Sequence, residues 1–228
     1  MIEVSKQWNP KQARLKEVIL KKDMFCEAVE LALEMHALVH TSEMSGINGD
    51  TYEDEVWKGL SHEIFRAQFK NQGSTIAWNL WHLTRIEDIT VNLLLADQAQ
   101  IINTDSWLEK LKVSVCDTGN AMDDNEISVF SSLIDMQELR NYRIAVGRQT
   151  QRLLKSLKPD DMKRKVKSQS IQRVLQEGGV TEQEQSIWLL DFWGKKTVAG
   201  IILMPVTRHQ IVHLNDCLKL KTRMAAPK

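Results

Sequence analysis

Apolar residues recur at three- and four-residue intervals along most of the chain, the spacing that gives a helix one buried face. The pattern predicts a first helical stretch from about Pro10 to Glu43, with Pro10 in a first-turn position and a break at Lys22-Asp23. Ser45 to Asp50 reads as a loop, and Tyr52 to Phe69 as a shorter amphipathic helix ended by Asn71-Gln72-Gly73. Ser74 or Thr75 is placed to cap the next helix, on which Trp78, His82, Ile86, Ile89 and Leu93 form one buried stripe. From Ala96 to Ser132 the periodicity breaks into short pieces, one around Trp107 and one starting at Asp123 or Asp124. Asp135 to Leu157 is the next long helix, Glu182 to Phe192 a shorter one, and the last runs from near Pro205 to about Lys221.

Runs of Val, Ile and Thr alternating with polar residues are absent, so the fold class is all-α. Four long helices with short extra helices in a long crossover connection make a four-helix bundle. No repeat of solenoid length and no low-complexity tract asks for a second domain. One domain over residues 1–228 is expected, with its core at about 24–221.

Composition narrows the function classes. Thirty basic and thirty acidic residues cancel, so no global field draws the chain to nucleic acid or to an anionic membrane. The basic stretch Arg152 to Lys167 is interrupted by Asp160 and Asp161 and reads as a solvated helix face. Cys26, Cys116 and Cys217 are scattered and odd in number, which argues against a disulfide framework and fits a reducing cytoplasm. The stretch Met1 to Gln7 has no apolar signal core, and the longest apolar run, Val198 to Val206, is too short to span a bilayer.

The candidate chemistry lies in the histidines. His209 and His213, four apart on the last helix, point their imidazoles the same way, and His82 faces inward on another helix. Three neutral imidazoles around a divalent ion leave a position open to water or substrate, and they suit zinc or nickel, with iron and copper not excluded. Asp216, seven residues after His209, is placed as a fourth ligand or as an acceptor behind the claw. His36, His40 and Glu43 repeat the spacing of His209, His213 and Asp216; they either join a four-histidine or dinuclear centre, line the pocket entrance, or cap the bundle. Trp78, one turn before His82, and Arg85, three residues after it, are candidates to line a pocket. Glu87 and Asp88 lie round the helix from His82 and read as salt-bridging or dimer-contact residues. His62 has no partner at ligand spacing, the remaining tryptophans suit packing, and no phosphate loop or Ser-His-Asp motif is evident.

The segments Ser74-Thr75-Ile76-Ala77-Trp78-Asn79-Leu80-Trp81-His82-Leu83-Thr84-Arg85-Ile86-Glu87-Asp88 and Pro205-Val206-Thr207-Arg208-His209-Gln210-Ile211-Val212-His213-Leu214 resemble the DinB-like superfamily. In that superfamily a histidine on the second bundle helix and a His-x-x-x-His on the fourth bind a divalent metal. The resemblance implies an up-down-down-up bundle, a homodimer, and His82, His209 and His213 as the ligands. It also implies a small-molecule substrate and thiol-dependent S-transfer of the kind that uses bacillithiol or mycothiol. The alternatives are metal-assisted hydrolysis and a non-catalytic metal-binding bundle in stress response. No general base stands out; His36, Glu43 and Asp216 are the candidates. The chain is longer than typical members, with its extra material around Ala96 to Ser132 and Lys158 to Gly194.

Overall fold

The computed structural model describes residues 4–225 except Asn71, and among these it contains helices and no named strand. The sequence features at Asn71 and at Met1 to Glu3 lie outside the described residues. In chain order the helices are α1 (Val4–Val18), α2 (Phe25–Leu38), α3 (Ser42–Ser45), α4 (Tyr52–Trp57), α5 (His62–Arg66) and α6 (Ile76–Asp88), which continues as a π-helical segment over Ile89–Ala96. They are followed by α7 (Trp107–Leu111), α8 (Asp124–Leu133), α9 (Met136–Ser156), α10 (Ser168–Gln176), α11 (Glu184–Gly194) and α12 (Val198–Ile201). A second π-helical segment, Ile202–Arg208, joins α12 to α13 (His209–Ala225).

Local chemistry sets several of these starts. The Thr75 hydroxyl accepts from the Trp78 amide at the head of α6, and Asp123 closes a capping box with Glu126 on α8. The Asp135 carboxylate accepts from the amides of Gln137 and Glu138 and opens α9. The long helices pack as a bundle: α6 lies against α9 and α13, and α2 against α9 and the π segment that leads into α13. One continuous apolar cluster fills the space between them, with Trp81, Tyr142, Leu80 and Met35 fully buried.

Four expectations need correction. Pro10 is inside α1 rather than in its first turn, because Trp8 is buried edge-on against Tyr52 at 6.1 Å and anchors the chain ahead of the proline. The helix expected over Tyr52 to Phe69 is split into α4 and α5 at Gly59, whose φ of +65° is open to glycine at no steric cost. The last helix begins at Val198, capped by Thr197, and passes through Pro205 as a π-helical segment. Finally, α6 buries nearly its whole circumference and not a stripe: apart from Trp78, every residue from Ile76 to Leu95 is buried. A helix buried all round is the centre of its bundle, and α6 is so despite carrying Asn79, His82, Arg85, Glu87 and Asp88.

Candidate metal centre

His82 on α6 meets His209 and His213 at the start of α13, with ring centroids 5.0 and 4.7 Å away and the two claw rings 4.5 Å from each other. One nitrogen from each lies within 4.8 Å of the others. Two of the rings have their orientation set from behind. His82 Nδ1 is 2.8 Å from the Thr118 carbonyl oxygen, which can only accept, so the proton is on Nδ1 and the Nε2 lone pair faces inward. His213 Nδ1 is 2.8 Å from Asn79 Oδ1. The Asn79 amide nitrogen donates to Ser74 Oγ and to the Thr75 carbonyl, which fixes the amide with its oxygen toward His213. Both rings therefore present bare Nε2 atoms, and His82 Nε2 is 3.2 Å from His209 Nε2.

Burial keeps these rings neutral. It pushes His82 down to about 3, with His213 adding to the shift, and His213 down to about 4. His209 is held well below the ordinary histidine value by burial and by its two neighbours. Neutral imidazole is the form that donates a lone pair to a metal.

The crossover loop builds the other side. Trp78 stacks on His82 with centroids 4.8 Å apart and planes 6° from parallel, and its indole N–H donates to the Gly119 carbonyl. A Cβ at Gly119 would lie 2.9 Å from Trp78 Nε1, and the backbone there has φ of +73°, so this turn requires glycine. Asn120 reaches the Gln185 carbonyl and ties the loop to α11. Between them a cavity of about 100 Å3 opens on His82 and His209, lined by Ile86, Trp188, Phe192, Trp193 and Met204 among others, with Asn120 as its further polar residue. No Lys, Arg, Asp or Glu lines it. A larger cavity of about 550 Å3, lined by Asp54, His62 and Arg140 among others, includes none of the three histidines.

The other candidates are placed differently. Arg85 is fully buried and points away from the triad, donating to Asp88, Tyr142, Gln100 and the Cys116 carbonyl. Asp88 also accepts from the Tyr142 hydroxyl and two backbone amides, so it is the salt-bridging residue expected but is no dimer contact. Asp216 pairs with Lys219 at 2.9 Å near the surface; it lies two turns, roughly 10 Å, along α13 from His209. Glu43 pairs with Arg140 at the surface, because α2 ends at Leu38 and Glu43 belongs to α3, so the seven-residue spacing from His36 spans two helices. None of His36, Glu43 and Asp216 lines the cavity.

His36 and His40 form a second group with Glu87, distinct from the triad. All three side chains are sealed from solvent. His36 Nε2 is 2.8 Å from Glu87 Oε1 and His40 Nε2 is 2.9 Å from Oε2, while Thr150 donates its hydroxyl to Oε1 at 2.7 Å. Burial alone would raise the Glu87 carboxyl, but the two imidazoles hold it well below the usual carboxylate range. Neither a pocket-entrance nor a capping role fits His36 and His40, and Glu87 is the bridging residue expected, buried between two imidazoles.

Sequence reasoning missed Asn79, Thr118 and Glu87. Asn79 carried a signal, one turn before His82 on the same helix; Thr118 acts through its backbone and carried none.

No helix among the described residues is long and apolar enough to cross a membrane. No curated protein matches the chain. The family model of the DinB superfamily matches residues 53–217, which include His82, His209 and His213 with Thr118 and Asn79, the residues that orient two of them. On that match, and on the helical bundle that accompanies it, the chain belongs to the DinB superfamily.

Proposed function

We propose that this chain is a divalent-metal-dependent enzyme whose ion is held by His82, His209 and His213, with zinc or nickel the best-suited metals. The observation that carries this reading is the pair of supports behind the triad. Thr118 and Asn79 occupy the Nδ1 protons of His82 and His213 and leave two Nε2 lone pairs directed at a shared point. Packed histidines would also need an acceptor for a ring proton, but not the convergence of three ring nitrogens within 4.8 Å of one another.

A bound divalent ion there supplies Lewis acidity, which ionises a coordinated thiol outright and a coordinated water only partly at neutral pH. No carboxylate lines the cavity to draw a proton from water, so a low-molecular-weight thiol is the favoured nucleophile and S-transfer to a small electrophile the favoured reaction. Trp188, Phe192 and Met204 give an apolar group of the substrate a place to sit and keep bulk water from the reacting atoms. Hydrolysis is the second reading, supported by the same triad. A homodimer is proposed on family grounds, and sedimentation of the purified chain tests it.

The test is elemental analysis of the untagged protein beside His213→Ala, followed by a screen of small thiols against model electrophiles. About one ion per chain that disappears in the variant, with thiol-dependent turnover by the parent alone, is the expected result. A chain that takes up no metal even after reconstitution would end the enzyme reading.

A further inference from the structure

Three side chains from separate parts of the bundle converge where no solvent reaches: His36 on α2, His40 just after it and Glu87 on α6. The two Nε2 atoms approach different oxygens of one carboxylate, at 2.8 and 2.9 Å, and one donor atom from each of the three residues lies within 4.8 Å of the others. Two imidazoles and a carboxylate are the donor set of zinc and its neighbours among the transition metals.

The surroundings are fitted to this cluster. Gly147 is in the interior of α9, where glycine weakens a helix. A Cβ there would lie 2.7 Å from His40 Nδ1 and 2.8 Å from its Cε1, so the helix forgoes a side chain to seat the ring. The Thr150 hydroxyl, less than a turn further along α9, donates to Glu87 and steadies the carboxylate, as groups behind a metal ligand do. Glu87 has no Lys or Arg partner among the described residues; the nearby Arg143 guanidinium is engaged by Glu53 at 2.8 Å, by Gln210 and by the Val39 carbonyl. The Nδ1 atoms of His36 and His40 are buried with no hydrogen-bond partner. Glu53 Oε2 lies 3.9 Å from His40 Nδ1, the nearest acceptor for the ring proton once Nε2 is a ligand.

We infer that His36, His40 and Glu87 form a second divalent-metal site, closed to solvent and structural in role, separate from the triad that opens on the cavity. It joins α2 to α6 as a four-coordinate site, with Glu87 binding through both oxygens. Closure on every side leaves no position for substrate, which is the mark of a structural ion.

Elemental analysis of full-length, untagged protein, stripped of metal, reloaded with excess zinc and desalted, tests the inference. Two zinc ions per chain are expected in the parent protein, one in His82→Ala/His213→Ala, and one in Glu87→Gln, which keeps the shape of the carboxylate. The double variant keeps every residue of the second cluster, and circular dichroism establishes that it is folded before its metal is counted. Zinc should also raise its melting temperature, and cobalt should give it the visible bands of a four-coordinate centre. Zero metal and no cobalt bands in that variant overturn the inference whatever Glu87→Gln does, while loss of one ion from the parent in His213→Ala speaks only to the triad.

Discussion

Two histidine clusters occupy the same bundle and share helix α6, yet their environments are opposed. In the triad of His82, His209 and His213, two rings have their protons engaged from behind, and His82 and His209 line an apolar cavity. The cluster of His36, His40 and Glu87 turns its Nε2 atoms toward a carboxylate and is closed on every side. Where the ring proton goes separates them: outward to the scaffold in one, inward to Glu87 in the other. The spacing of the histidines does not decide this, since both contain a His-x-x-x-His.

The sharpest way to break the comparison is to remove the carboxylate. Glu87→Ala strands two buried imidazoles and the Thr150 hydroxyl, and it should cost on the order of 3 kcal/mol of stability in urea unfolding. His209→Ala, at the cavity wall, should cost well under half of that. Equal losses would mean that the closed cluster is no more structural than the open one. Next in size is Asn79→Ala, which frees the His213 ring and should weaken metal binding at the triad about 10- to 100-fold by competition with a chelating dye. It should leave any ion at Glu87 in place.

Acid should act on both clusters in the metal-free protein. His82 and His40 are pushed down to about 3 in the folded chain from an ordinary value of 6.5. The unfolded chain therefore binds more protons between those values, and folding stability falls as pH drops below about 6.5 and continues to fall toward 3, by roughly 1 kcal/mol per pH unit for each histidine. Denaturant unfolding at pH 7 and pH 5 checks the sign, and a flat profile would contradict the burial of both rings. The smallest effect is expected at the cavity mouth. Trp188, half exposed, contributes apolar surface to bound substrate but nothing to the metal, so Trp188→Ala should raise KM a few-fold for apolar electrophiles with metal content unchanged.

Much of this was legible in the sequence. Helical spacing located α6, α9 and α13, the cap at Ser74 or Thr75 and the starts near Asp123 and Asp135 were readable, and His82 with the His209/His213 claw stood out. What misled was the assumption that α6 has an outside. Glu87 is five residues from His82 and does point away from it, but on a helix buried all round, away from one site means toward another. Asp216 lies less than a turn past His213, and its carboxylate pairs with Lys219, a contact that the shared helical face did not reveal. Thr118 was beyond reach because a backbone carbonyl leaves no trace in residue identity.

The family match begins at Glu53, whereas His36 and His40 lie on the chain ahead of it. The matched segment thus includes a carboxylate whose two imidazole partners come from outside it, while Thr150 lies within it. A fragment cut at the matched boundaries would retain the whole open triad, yet Glu87 would face an empty groove where α2 had been. The stretch matched by the family and the stretch that encloses Glu87 are therefore different lengths of chain.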